Sequence, residues 1–208
     1  MVRGSTSNER AQAYTLEGFI GAIVILTALL FAVQSVVIAP TTGGAVDRTV
    51  QAQLQQEVQD SLVVAEGEGD LSELVRNWDT DADRFGGGDR TGSPDYYEMG
   101  TFANESTLGE ILETRFGNAG HNYNVELIYD DADEPTENRT KTLVYQGSPS
   151  SSAVTASYTV TLYDDQHLTA DGSEHITLQK ADDEYEYPIP KSGSRNIYNV
   201  VEVRVILW

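Results

Sequence analysis

The feature that most constrains this chain is an apolar run from Phe19 to Ala39, 21 residues interrupted only by Thr27, Gln34 and Ser35. At roughly 1.5 Å per helical residue it reaches about 31 Å, the thickness of a bilayer's hydrocarbon core. A cleavable secretory signal has a shorter apolar core and a small-x-small cleavage site, whereas here Pro40 follows Ala39 directly. The expectation is an anchor that stays, with the lipid bilayer as its partner. Arg3 and Arg10 precede the run and no Lys or Arg follows until Arg48. The positive-inside rule therefore puts the N-terminus in the cytoplasm and the chain from residue 40 onward outside the cell membrane. The 208 residues divide into a cytoplasmic leader over 1–13, a single transmembrane helix over 14–39 and one extracellular acidic α+β domain over 40–208.

Charge sharpens this division. Of 33 Asp and Glu only Glu9 and Glu17 precede residue 40, which leaves 31 acids against 11 bases in the outer domain, out of a net −20. Such a domain repels nucleic acid backbones and anionic lipid surfaces, so nucleic acid is excluded as a partner. Only Lys141, Lys180 and Lys191 are lysines, and cysteine is absent. Abundant acids, few lysines and no thiols suit a protein that works in high salt, where screening over a few ångströms removes self-repulsion. A disordered acidic tail is the other way to hold such charge. It is disfavoured by the 39% of hydrophobic residues and by clean strand patterns. Disulfides and thiol chemistry are ruled out.

A carboxylate, Glu17, stands at the mouth of the apolar run with only Gly18 between them. An acid in a helix's first turn is favoured by the helix dipole and can reach interfacial water, so it has an ordinary structural explanation. A second explanation comes from resemblance. Residues 10–39 resemble the N-terminus of type IV pilins and pilin-like proteins: a short basic leader, a processing site, then a hydrophobic helix with an acid near its start. Tyr14-Thr15-Leu16 is similar to the Phe-Thr-Leu that opens many bacterial pilins. The resemblance implies that Glu17 neutralises the new α-amine of a neighbouring subunit during assembly, a pairing favoured at low dielectric. It also implies processing nearby. A cut after Ala13 makes Glu17 the fourth mature residue and a cut before Gln12 makes it the sixth, where the family's usual position is the fifth. The Arg10-Ala11 pair resembles the archaeal recognition site more closely, so Gln12 is the expected new terminus. More widely, RAQAYTLEGF (10–19), TVTLYDD (159–165) and YNVVEVRVILW (198–208) look like an uncharacterised haloarchaeal family of membrane-anchored, pilin-like proteins, which implies an address and no known activity.

The outer domain reads as α+β. Pro40 to Gly44 is a breaker cluster expected to end or kink the first helix. Val46, Val50, Leu54, Val58 and Leu62 then recur every four residues, with Gln51, Gln53, Gln55, Gln56, Glu57 and Gln59 filling the other faces, so an amphipathic helix is expected over 46–65. Gly67 and Gly69 close it, and a short helix is expected over 71–78. Residues 79–100 read as a glycine- and aspartate-rich loop. Thr107 to Glu110 has capping-box spacing and opens a helix to Phe116. Four strands follow from alternation: Tyr123 to Tyr129, Thr140 to Tyr145, Val154 to Leu162 and Ile197 to Leu207. The turn-rich link from Gly147 to Ser152 suits an antiparallel meander, with the 46–65 helix covering one face of the sheet. A long N-terminal helix packed on an antiparallel sheet is also what the pilin resemblance implies.

Motifs for chemistry are sparse. His121, His167 and His175 lie in separate polar stretches without metal-ligand spacing, and no cysteine assists them. Ser148, Ser150, Ser151 and Ser152 form a turn without a G-x-S-x-G context. Gly86, Gly87 and Gly88 lack the Lys and the setting of a phosphate loop. Asp79, Asp81 and Asp83 resemble the opening of a calcium loop, and Asp130, Asp131, Asp133 and Glu134 form a second cluster. Yet Arg84 stands where that loop needs glycine and Arg90 where it needs glutamate, so the three aspartates are weak calcium candidates and no resident metal or cofactor is expected. Asn104 and Asn138 head N-x-Ser/Thr sequons, candidates for glycosylation. The sequence thus points to a non-enzymatic, single-span, outward-facing pilin-like protein that assembles with itself or with similar subunits through residues 14–39. The competing reading is a monomeric anchored module that binds or senses a ligand. An anchored hydrolase has no supporting motif beyond acid abundance.

Overall fold

A computed structural model of the chain describes residues 5–34, 42–86, 96–97, 99–132 and 138–208. Two compact units result, Met1–Val46 and Asp47–Trp208.

In the first unit, α1 runs from Ser5 to Gln34. It begins inside the expected leader. No Gly or Pro occurs between Ser5 and Glu17, and Glu9, Arg10, Ala11 and Gln12 are good helix formers, so nothing in the sequence stops the helix at residue 13. Among the described residues no helix is long and apolar enough to cross a membrane. The side chains of 31–39 lie outside the described residues, as does the expected break at Pro40.

α2 spans Thr42–Gly67, longer than the expected 46–65. Gly43 and Gly44 of the breaker cluster fall in its first turn, where backbone N–H groups have no intrahelical partner to lose. Its apolar stripe is buried from Leu54 onward: Val58, Leu62 and Ala65 are fully covered, while Val50 stays 49% exposed. Gly69, at φ 81°, turns the chain out of α2 and directly into α3 (Asp70–Val75).

The main sheet contains β3 (Tyr123–Asp130), β4 (Asn138–Val144), β5 (Val154–Tyr163) and β6 (Ile197–Leu207), every pair antiparallel. These match the four expected strands. Their order, β4-β3-β6-β5, is not a meander. The last strand inserts between β3 and β5, so the Gly147 to Ser152 link joins two edges. β6 presents Val201, Val203, Val205 and Leu207 to the core, all essentially inaccessible, whereas β4 is exposed over its first three residues. The most apolar strand gains most from two neighbours, and the polar strand tolerates an edge.

The sheet's buried face carries Tyr123, Val125 and Leu127 from β3 and Ala156, Val160 and Leu162 from β5, in one core cluster with α2, α3 and the loops. The opposite face carries Glu126, Glu202 and Arg204. Arg204 lies across from Glu126 and donates from Nε and a terminal nitrogen to Glu202 at 3.1 and 3.0 Å. Trp78, expected to end the short helix, and residues 79–85, expected as loop, form a ribbon of β1 (Trp78–Asp79) and β2 (Arg84–Phe85), pinned by edge-on packing of Trp78 against Phe85. Two helices were not expected: α4 (Met99–Glu105), before α5 (Thr107–Arg115), and α6 (Leu178–Glu184), capped by Thr177, whose hydroxyl accepts from the Lys180 amide.

Candidate functional site

Three groups of residues could carry function: the surface of α1, an acidic corner between α3 and α5, and the sequons. On α1 the described side chains, 14–30, are all exposed, the large apolar ones from 73% for Tyr14 to 47% for Ile23. At about 100° per residue Leu16, Val24, Ile25, Leu29 and Leu26 follow one another around the helix, so it is apolar all round rather than on one stripe. Within the apolar run the Thr27 hydroxyl is turned onto the Ile23 carbonyl at 2.7 Å. Glu17 is exposed at the start of this surface, and Gly18 and Gly21 have open space where a Cβ would sit. Arg10, Ala11 and Gln12 lie within the helix backbone, on the same element as Glu17; their side chains lie outside the described residues.

The acidic corner is built by helix capping. The expected cap at Thr107 is displaced by one residue: Ser106 is the N-cap, its Oγ accepting from Gly109 N at 2.9 Å and donating to Phe102 O at 3.1 Å. The Thr107 and Leu108 amides are then taken by the Asp70 carboxylate at 2.9 and 3.0 Å, a cap supplied from α3. Gly109 is required here, since a Cβ would meet the Phe102 carbonyl at 2.1 Å. Asp70, Glu73, Asn77, Glu105, Ser106 and Thr169 border a cavity of about 130 Å³. Burial pushes the Asp70 carboxyl above its ordinary value, its two amide donors pull the other way, and Glu73 and Glu68 add repulsion. Glu105 is raised as well, by burial and then by Asp171. The Tyr97 hydroxyl accepts from Asn77 at 2.9 Å beneath this corner, and burial followed by the Glu105 charge raises its pKa strongly. A corner of this size and sign suits water or a small cationic group.

The D-x-D-x-D stretch is the turn of the β1–β2 ribbon. Asp79 folds back on the chain, its Oδ1 accepting from the Asp81 and Ala82 amides at 2.9 and 3.1 Å, while Asp81 and Asp83 point outward, Asp83 in the left-handed region. Among the described residues no group of three or more His, Asp or Glu side chains could hold a metal ion. In the second acid cluster Asp131 pairs with Arg139 at 2.6 Å; Asp133 and Glu134 lie outside the described residues. Asn104 sits exposed on α4, and Asn138 opens β4, also exposed.

One set of residues escaped sequence reasoning. Gln51, Gln55 and Gln59, read as solvent-facing filler on α2, donate to the carbonyls of Ser152, Thr155 and Ser157 at 3.5, 3.0 and 3.2 Å. A period of four along the helix meets alternate residues of edge strand β5, Thr155 and Ser157, and the link before it at Ser152, so that side chains satisfy this polar edge of the sheet. The signal was the exact i, i+4, i+8 repeat of one residue type able to donate.

Fold and surface together define an α+β domain with an antiparallel sheet, preceded by a helix that is apolar on all sides. The chain belongs to a family of unknown function, DUF7288, whose model matches residues 10–207. No curated protein and no solved structure matches it.

Proposed function

We propose that this chain is a single-span, membrane-anchored, pilin-like surface protein, with its N-terminus in the cytoplasm and its acidic domain outside, serving a structural or assembly role in a type IV pilus-like or secretion-like apparatus. The observation that carries this reading is α1, whose described side chains are exposed and apolar around the full circumference. A helix with that surface needs an apolar surround, and either a bilayer or a bundle of copies provides one. Residues 31–39 extend the apolar run by sequence to about the length of a span. Glu17 and the adjacent glycines support assembly: an acid can pair with a neighbour's amine, and small residues allow close approach of helices. Arg10, Ala11 and Gln12 are the proposed processing site. The α2 helix joined to an antiparallel sheet supports the pilin-like architecture, within a haloarchaeal membrane protein family. The role is non-enzymatic.

The competing reading, a monomeric anchored binding or sensing module, draws on the acidic cavity beside Asp70 and Glu105. Self-association separates the two. Protease added to intact cells should reach the domain after residue 47 and spare an N-terminal tag; protection of the domain would sink both readings. Crosslinking in membranes should be strong for the wild type and weak for Glu17→Gln, with membrane insertion equal in both. Equal crosslinking, together with an uncut N-terminus by mass spectrometry, would remove the pilin-type mechanism and leave the anchored module.

A further inference from the structure

We propose that Asn138 is an N-glycosylation site and that Asn104, although it heads an equally good sequon, is not. The inference rests on the outward placement proposed above, because the glycan donor must meet the domain there. Transfer requires two groups of the sequon at once: the amide nitrogen, which forms the new bond, and the hydroxyl two residues on, which the transferase must contact. The fold presents these pairs in opposite ways.

Asn138, Arg139 and Thr140 are all exposed at the start of β4. Alternate residues of a strand share a face, so the Asn138 amide and the Thr140 hydroxyl stand side by side on the surface of the sheet. Their partners on β3 are Asp130, itself exposed, and Ile128. Arg139 points to the other face and pairs with Asp131 at 2.6 Å, which holds the strand from behind. No buried side-chain hydrogen bond of Asn138 or Thr140 has to break for the sequon to be read.

Asn104 is exposed too, but it lies in the last turn of α4, while Ser106 lies beyond that helix with extended backbone as the N-cap of α5. Ser106 is only 8% exposed, and its hydroxyl both accepts from Gly109 N and donates to Phe102 O as the cap of α5. Releasing it forfeits two buried hydrogen bonds and uncaps a helix. Once the domain has folded this sequon is closed.

The reaction at Asn138 needs a lipid-linked oligosaccharide as co-reactant. The amide nitrogen attacks the anomeric carbon, the carbon–nitrogen bond forms as the bond to the lipid phosphate breaks, the phosphate leaves with that electron pair and the amide gives up one proton.

The test is mass spectrometry of glycopeptides from the full chain, expressed in a host with an N-linked oligosaccharyl transferase. A Pro149→Asn variant supplies an internal control, since it completes a sequon with Ser151 in a turn whose residues 148–151 are all exposed. Occupancy at Asn138 is expected to exceed that at Asn104 by about tenfold or more, given the two hydrogen bonds that Ser106 would lose, and Thr140→Ala should abolish it. Comparable occupancy at Asn104 would overturn the proposal, as would a modified control turn beside a bare Asn138. If all three sites stay bare, the outward placement falls and the proposal falls with it.

Discussion

Asp70 is pulled in two directions. Its carboxylate is the acceptor that closes the N-terminus of α5, yet it is largely buried beside Glu73 and Glu68, and burial wins, holding its pKa above the ordinary carboxylate value. Asp182 and Glu66 are raised in the same direction, each chiefly by burial. A carboxyl whose folded pKa exceeds its unfolded value binds its proton more tightly in the folded state. Its contribution is therefore fully present below the unfolded pKa and is lost as pH rises through the folded one. Thermal midpoints should accordingly rise as pH is lowered from neutrality toward the carboxylate range. Asp70→Asn should flatten that dependence, because the substituted group no longer titrates, at a cost of about 0.5–1.5 kcal/mol for the amide donor that an asparagine cannot accept from. An unchanged slope of midpoint against pH in this variant would show that Asp70 does not carry the effect. The capping role itself was not legible in sequence: Ser106 and Thr107 are both acceptable caps, and only the arrival of Asp70 from 37 residues away decides between them.

At the scale of elements, strands were the most legible part, since Tyr123 to Tyr129 and Val154 to Leu162 alternate cleanly and one face had to be buried. Strand order was not, because alternation fixes which face is inward and says nothing about which strand is the neighbour. α4 and α6 were missed for another reason: at seven residues each they carry too little periodicity to stand out, and tertiary contacts hold them. The glutamine ladder belongs to this scale as well. Edge strand β5 would otherwise present carbonyls to any passing strand, and α2 occupies them. Removing Gln55 and Gln59 together should cost about 0.5–1.5 kcal/mol per bond, whereas Gln51, whose bond is long at 3.5 Å, should cost little. The same double substitution should raise light scattering on heating, because the freed edge can pair with another chain. Gln53→Ala and Gln56→Ala are the controls. They lose only exposed bonds to Glu57 and Asp60 within α2, worth about 0.2–0.5 kcal/mol, and should leave scattering unchanged. Leu62→Ala probes the other face of α2; a fully buried leucine should cost about 2–5 kcal/mol, read from the unfolding midpoint.

For the whole molecule the governing quantity is charge. The Asp47–Trp208 unit carries 31 acids against 11 bases, and its three lysines are each committed locally: Lys191 to Asp164 at 2.6 Å, Lys180 to Glu184 at 3.5 Å, and Lys141 over the Trp78 ring at 6.0 Å. These contacts neutralise a few acids and leave the excess unopposed. At about 1 M salt, interactions between exposed charges are screened beyond about 3 Å, so the repulsion hardly reaches from one carboxylate to the next; at 0.01 M the range grows to about 30 Å, wider than the sheet. Residues 47–208 should therefore hold their native circular dichroism in molar chloride and lose it progressively as the salt is diluted. Acid should substitute for salt. At low ionic strength, lowering the pH into the carboxylate range removes the same repulsion by protonation, and it should bring back part of the lost signal even without added ions. Recovery with salt but none with acid would mean that specific cation binding, rather than self-repulsion, is what salt supplies. A signal that stays flat from molar to millimolar salt at neutral pH would show that the packed core outweighs the charge, and the adaptation to high salt inferred from composition would be wrong.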